Sequence, residues 1–232
     1  FINYLDKISV WSDQVAGKHT KKGVAIICQS GTIGNTISFN NRSLPIGYII
    51  SLGNQSQITV EDSIDYVLED KRVTAIGIYA ESFTNSEKLI KIFKKSRLKK
   101  IPIALVKVGR SKIASQAILT HTGSLSGKED IYDSLLQRMG VARCDTLGEL
   151  CEILKLFHIH GVLKNDKVSI MGPSGGDMAM IGDVAEKLLI NFAKIPSKIK
   201  SDLQKVNHPS VLISNPFDLQ TYNWNDPKQL AK

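Results

Sequence analysis

Residues 24–39, VAIICQSGTIGNTISF, decide the fold. An unbroken apolar run, Val24 to Cys28, predicts a strand covered on both faces, as in a parallel sheet. Gln29, Ser30 and Gly31 interrupt it, and apolar residues then return at helical spacing. Residues 168–183, VSIMGPSGGDMAMIGD, repeat the pattern of strand, Ser-Gly turn and helix. At such a junction the free N–H groups and the helix dipole favour an anion. Glycine lets the backbone come close to a ligand. Ser30, Gly31 and Thr32 in one turn, and Ser174, Gly175 and Gly176 in the other, are thus candidate phosphate-binding residues. A plain strand-to-helix turn fits each of them singly. Neither turn carries G-x-x-x-x-G-K-S/T or a full G-x-G-x-x-G, which argues against a Walker loop or a dinucleotide site.

Working outward, apolar runs alternate with helical periodicity. Strands are expected at 24–28, 48–52, 75–80 and 101–108. Val60, Ile64, Val67 and Leu68 share one helix face, and Leu147, Leu150, Cys151, Leu154 and Phe157 share another. Strand–helix alternation implies βαβ units, a parallel sheet and right-handed crossovers. The pattern restarts after Gly161. A strand at 168–172 precedes a helix with Met178, Ile181, Val184, Ala185 and Leu188 inward. A short helix at 197–206 and an NPFD turn at 215–218 follow. The expected organisation is a lead-in segment at 1–20, a first α/β domain at 21–162, and a second α/β domain from 163, cut short at 232.

Composition excludes several classes. Apolar residues make up 42% of the 232, enough to build a core, so disorder is not the main state. No apolar run is long enough for a membrane span, and FINYLDKISVW lacks the form of a signal peptide. Three cysteines without C-x-x-C suggest neither a disulfide framework nor a zinc site; they read as core filler in a reducing, cytoplasmic compartment. The net charge of +8 is concentrated in residues 88–112, with ten basic residues and no acidic one, leaving 20 basic and 22 acidic residues elsewhere. Lys88, Lys91, Lys94, Lys95 and Lys99 alternate with Leu89, Ile90 and Phe93, as on the solvated face of an amphipathic helix. No aromatic residues interleave to stack on bases, so nucleic acid is not expected as a partner.

The long segment after the fourth strand, KVGRSKIASQAILTHTGSLSGKED, places His121 among small hydroxyl residues. A loop at the carboxyl edge of a parallel sheet is where such folds place ligands. An imidazole there is a candidate nucleophile, because one ring nitrogen is unprotonated near neutral pH; a solvent-exposed loop histidine is the alternative. His158 and His160, two apart on a helix, point to different sides and do not make a metal site.

Four stretches resemble the NDP-forming acyl-CoA synthetases, the superfamily of succinyl-CoA synthetase and ADP-forming acetate–CoA ligase. They are QSGTIGN (29–35), residues 50–82 ending in IYAES, VKVGRSKIASQAILTHTGSLSG (106–127), and MGPSGGDMAMIGDVAE (171–186) with NPFDLQ (215–220). The resemblance runs from about residue 21 to the end. It implies two flavodoxin-like, succinyl-CoA synthetase-like domains. It implies that His121 is phosphorylated in turnover, and that Glu81 hydrogen-bonds it. Helices opening at Ser30–Thr32 and Ser174–Gly176 would aim at the phosphoryl group from the two domains. Arg110 and Asn54 are weaker candidates for contact with substrate.

The resemblance further implies CoA or acyl-CoA, ATP or ADP and Mg2+ in the intact enzyme, a small carboxylic acid as substrate, and a homo- or hetero-oligomer. The CoA-binding and ATP-grasp modules would lie in the same protein or a second subunit. The second turn reads PSGGDMAM where many acetate-type members have NAGGPG, so the acyl group is open. A preserved histidine argues against the main rival, a non-catalytic acyl-CoA-sensing domain fused to an acyltransferase. A flavin-binding module lacks its aromatic-rich phosphate loop.

Overall fold

The structure, a computed structural model, describes residues 1–116, 129–222 and 226–230. It divides into two compact units, Phe1–Leu163 and Lys164–Lys232. In the first, strands β1 (Ile2–Asn3), β2 (Ile8–Ser9), β3 (Gly23–Cys28), β4 (Ile46–Ser51), β5 (Val73–Ala80), β6 (Ile103–Lys107) and β7 (Ala142–Cys144) form one sheet, in the order β2-β1-β4-β3-β5-β6-β7. The five strands from β4 to β7 are parallel. Renumbered within that parallel set, they give the order 2-1-3-4-5 of a flavodoxin-like fold.

The apolar strands are continuous because both faces are covered. Along β3, Ala25 and Ile27 enter one core, and Val24, Ile26 and Cys28 enter the other. The first core is closed by α2 (Val60–Val67), α3 (Ser86–Lys99) and α4 (Glu129–Met139), through Ile64, Phe93 and Leu136. The second is closed by α1 (Gly31–Ser38) and α5 (Leu147–His160), through Ile37, Leu150 and Leu154. On α3, Ile92 joins Leu89 and Phe93 in the core, while Ile90 is half-buried. A Cβ on Gly23 would stand 2.6 Å from backbone atoms of Pro45 and Gly47, so glycine permits the close β3–β4 approach.

Residues 1–20, read from sequence as a separate lead-in, lie within this first unit. Ile2 and Asn3 pair antiparallel with Ile49 and Tyr48, and β2 folds back on β1. Ile2 and Leu5 are buried, and that burial holds the segment on the sheet. Arg72 clamps it with hydrogen bonds of 2.7 and 2.8 Å to Asp6 and one of 2.8 Å to Asp70. Tyr48 donates to Asp70 at 2.6 Å. Trp11 Nε1 donates to Asn35 Oδ1 of α1 at 2.8 Å. The basic stretch is partly neutralised by α2 and the turn after it, where Asp62, Asp65 and Glu69 pair with Lys88, Lys95 and Lys99 of α3. Such exposed pairs add little stability, but they account for much of the charge on this face.

In the second unit, the single strand expected at 168–172 is split. β8 (Lys167–Val168) pairs with β10 (Asn191–Phe192), and β9 (Met171–Gly172) pairs with β11 (Phe217–Asp218), both parallel. The Asn215 amide bridges the break. Its Oδ1 accepts from Ile170 N at 3.0 Å, and its Nδ2 donates to the Val168 and Ala193 carbonyls at 2.9 Å each. Helices α6 (Gly175–Lys187) and α7 (Ser197–Val206) follow, and a short helix, α8, spans Pro227–Leu230. Val211, Ile213 and Phe217 form the core with Ile195, Leu203 and Leu219. The expected inward face of α6 is corrected in part. Ala185 is buried and Met178 and Ile181 are half-buried, but Val184 is 52% exposed and Leu188 62%. Two two-stranded ladders are too narrow to cover the whole helix face.

Two predictions follow from the packing. Burial pushes the Cys28 thiol up to about 12, and Cys144, also mainly through burial, to about 11; burial raises Cys151 as well. Since the thiolate is the reactive form, none of the three should be alkylated by iodoacetamide at about pH 8 in the folded chain, and all three should react after unfolding in urea. Rapid labelling of Cys28 in the folded chain would contradict the buried β3.

The Arg72 guanidinium, aided by the Tyr48 hydroxyl, holds the Asp70 carboxyl at about 2, against an ordinary 3.8. A depressed carboxyl value contributes stability above its unfolded pKa and loses it as pH falls through the folded one. Thermal midpoints should therefore fall between pH 3.8 and about 2, less steeply in Asp70→Asn than in the wild type. Equal slopes would remove Asp70 from the clamp.

Candidate functional site

In an open α/β sheet the ligand crevice lies beyond the carboxyl ends of the strands where the order reverses. Here that point lies between β3 and β5. Gln29, Ser30 and Gly31 leave β3, and Glu81 and Ser82 leave β5.

Ser30 is the N-cap of α1, in extended backbone conformation, and its Oγ accepts from Ile33 N at 3.3 Å. The Ser30 carbonyl takes the Gly34 N–H at 3.2 Å. The Gly31 and Thr32 N–H groups are left for an outside acceptor, as expected in the first turn of a helix. Gly31 and Thr32 are exposed, and the nearest atom to a Cβ built on Gly31 is Ser51 Oγ, at 3.7 Å. A cleft of about 350 Å3 opens beside them, with Trp11, Asp13, Asn35 and Ser51 in its wall. Asp13 faces this cleft while its carboxylate accepts from Asn35 Nδ2 at 2.7 Å.

Glu81 is half-buried, and its Oε2 is enclosed by protein without a hydrogen-bond partner among the described residues. A buried carboxylate oxygen without a donor is uncommon and calls for a group that supplies one. The backbone around it is firmly held. Gln29 Oε1 accepts from Glu81 N at 2.6 Å and from Ser82 N at 3.0 Å. Gln55 Nε2 donates to the Ser82 carbonyl at 3.2 Å, and its Oε1 accepts from Val60 N at 2.8 Å. Glu61, fully buried on α2, accepts from Thr84 N and Asn85 N at 2.8 Å each, and from the Thr84 hydroxyl at 3.2 Å. Sequence reasoning missed all three clamps. A polar residue directly after a wholly apolar strand was the local signal for Gln29.

Lys107, at the carboxyl end of β6, was also missed. It is 3% exposed, donates to the Val108 carbonyl at 2.8 Å and lies 5.2 Å from the Tyr132 ring centroid. Arg110 is ion-paired to Asp145, with Asp133 at 3.9 Å, so its charge is shared with carboxylates of this chain. Asn54 is exposed in the loop after β4, between Gly53 and Gln55, both at positive φ. His121 lies outside the described residues. Among the described residues no three of His, Cys, Asp and Glu come together to hold a metal ion, and no helix is long and apolar enough to cross a membrane.

In the second unit, Ser174 caps α6 as Ser30 caps α1. Its backbone is extended, and its Oγ accepts from Asp177 N at 3.2 Å. A Cβ on Gly176 would meet Ser174 Oγ at an ordinary 3.7 Å, whereas one on Gly175 would stand 3.0 Å from Asp218 Oδ2, a tight contact that the Asp218 side chain would have to yield to.

Comparison with known proteins agrees with the fold of the first unit. Residues 21–157 match the family model described as the succinyl-CoA ligase like flavodoxin domain. An ADP-forming acetate–CoA ligase of Methanocaldococcus jannaschii is 30% identical over 201 residues, covering 86% of this chain and 28% of that protein. The alpha subunit of ADP-forming acetate–CoA ligase II of Pyrococcus furiosus is 31% identical over 202 residues, covering 86% of this chain and 44% of the subunit. The chain thus spans less than half the length of these relatives. Among solved structures, the dinucleotide forming acetyl-coenzyme A synthetase 1 of Ca. Korarchaeum cryptofilum, in complex with phosphate and ADP, superposes with a TM-score of 0.75 at 24% identity, over 90% of this chain and 44% of that one. The superposition supports the fold, and the family match supplies the identity: this chain belongs to the family of the succinyl-CoA ligase like flavodoxin domain.

Proposed function

We propose that the chain is the ligase core of an NDP-forming acyl-CoA synthetase. The protein would interconvert acyl-CoA, phosphate and ADP with a carboxylic acid, CoA and ATP. The observation that carries this reading is the orphaned Glu81 Oε2 at the carboxyl end of β5, beside the α1 terminus whose Gly31 and Thr32 N–H groups await an acceptor. A carboxylate lacking a donor suits one imidazole nitrogen, and open helical N–H groups suit the phosphoryl group on the other.

In the proposed sequence a phosphate oxygen attacks the thioester carbonyl, the C–S bond breaks, and CoA leaves as the thiol. The free imidazole nitrogen of His121 then attacks phosphorus, and the carboxylate leaves as the P–O bond to the acyl group breaks. Glu81 accepts a hydrogen bond from the other ring nitrogen, fixing the tautomer and supporting the positive charge that develops on the ring. Transfer from phosphohistidine to ADP restores the neutral histidine. The N-terminus of α1 receives the phosphoryl dianion in this reading, contributing about half a positive charge; Ser174, Gly175 and Gly176 at the α6 terminus are retained as further phosphate-binding candidates. Arg110 and Asn54 are retained only as candidates for contact with CoA or the acyl group.

CoA-binding and ATP-grasp modules, in the same protein or in a second subunit, complete the enzyme in this proposal, with Mg2+ accompanying the nucleotide. Residues 1–20 would lead from the CoA-binding module. A reducing cytoplasm suits the three free, buried cysteines.

Labelled phosphate and acyl-CoA supplied to the intact protein should leave an acid-labile, base-stable label on the peptide that contains His121. His121→Asn should carry none. Glu81→Gln should form it about 10²–10⁴-fold more slowly, the range of such acid–base and orienting roles. Acid-stable label on a hydroxyl residue, or wild-type kinetics in Glu81→Gln, would contradict the proposal. Residues 1–232 alone should make no ATP from acyl-CoA, and robust synthesis would show that no further module is needed.

A further inference from the structure

We infer that Gln29 is a positioning residue that sets the Glu81 carboxylate against the phosphoryl site; this rests on the reading of the site given above. Gln29 is 6% exposed and lies between the last residue of β3 and the N-cap of α1. Its own N–H donates to the Tyr79 carbonyl at 3.2 Å. Its side-chain oxygen takes the two successive N–H groups of Glu81 and Ser82, at 2.6 and 3.0 Å. One residue therefore joins the start of the phosphate-binding helix to the backbone that carries the orienting carboxylate. The link spans 52 residues of sequence.

A simpler part would satisfy those two N–H groups equally well: a water, or another backbone carbonyl. A water adds no fixed distance to α1. A glutamine adjacent to the helix cap does, because its Cα is already fixed by the β3–β5 ladder and by Ser30. The acceptor is also neutral. A carboxylate in its place would add negative charge beside Glu81 Oε2, which already lacks a donor. The remaining ties on this loop, from Gln55 and Glu61, reach Ser82, Thr84 and Asn85 but leave the Glu81 N–H to Gln29 alone among the described contacts.

Gln29→Met in the intact protein keeps length and burial and removes the acceptor. Phosphohistidine formation should slow by about 10–100-fold, since a displacement of about 1 Å at a reacting group has effects of that order. KM for CoA and for the acyl substrate should stay within about twofold, because Gln29 acts through Glu81 and not on those ligands. In a Glu81→Gln background the same change should have almost no further effect, the mark of two residues acting as one unit.

A folded Gln29→Met protein labelled at the wild-type rate overturns the inference. So does a full additional loss in the Glu81→Gln background, which would mean general damage to the site. Should Gln29→Met fail to fold, Gln29→Asn carries the test. Its neutral amide is one methylene shorter and draws the acceptor back from both N–H groups, so label should form at least about tenfold more slowly than in the wild type. Label at the wild-type rate overturns the inference. Wild-type protein that takes no acid-labile label defeats the reading of the site, and this inference falls with it. Wild-type protein that takes the label, beside a Gln29→Met protein that takes it as fast, leaves that reading standing and removes Gln29.

Discussion

The burial of β3 along all six residues is the constraint on which the site depends. Each of its large side chains gains about 1.5–3 kcal/mol by leaving water, so the strand occupies the middle of the sheet with helices on both faces. Once β3 is central, β4 and β5 must pair on its two sides, and the strand order reverses there. The reversal opens a crevice at the carboxyl ends, and the first residues past β3 fall into it. The Ser-Gly turn thus faces ligand space because of hydrophobic burial beneath it. In the proposed reading the site draws on Gln29, Ser30, Gly31 and Glu81, four residues that contribute little to that burial.

Polar groups at this edge fall into two kinds. Gln29, Gln55 and Glu61 are buried and hydrogen-bonded, as buried polar groups must be. They spend their acceptors on the backbone of the loop after β5, and fix it as strand pairing no longer can. Among the described residues Glu81 Oε2 is left without a partner, and the N–H groups of Gly31 and Thr32 are first-turn donors with none inside the helix. Unpaired groups held by fully paired ones are the arrangement expected of a preorganised site: the reorganisation is complete before a ligand arrives. On the basic surface of α3, Lys88, Lys95 and Lys99 are matched by the carboxylates of Asp62, Asp65 and Glu69, and these pairs are exposed.

Much of the first unit was legible in the sequence, for a local reason. The strands at 24–28, 48–52, 75–80 and 101–108 are apolar on both faces, and α2 and α5 keep their spacing. Strands β1, β2 and β7 were not legible, since two or three residues carry no period and form only against a partner already in place. The split of 168–172 arises from Asn215, forty-five residues from the Ile170 N–H it accepts. Val184 and Leu188 follow helical spacing faithfully, yet stand outside the core of their unit. The two Ser-Gly turns and the His121 loop were singled out from the residues themselves, whereas Glu81 and the phosphorylation of His121 were assigned through family resemblance. The Gln29 clamp joins residues 52 positions apart, and pattern alone gave no hint of its partner.

The central claim is that the α1 N-terminus, opening at Ser30, holds a phosphoryl group beside one imidazole that Glu81 orients. A crystal structure of the intact protein with phosphate tests it most directly. The account predicts a phosphate within about 3 Å of the Gly31 and Thr32 N–H groups and of a His121 ring nitrogen, with Glu81 bonded to the other nitrogen. Phosphate bound away from the α1 terminus, with His121 reaching neither it nor Glu81, would contradict it.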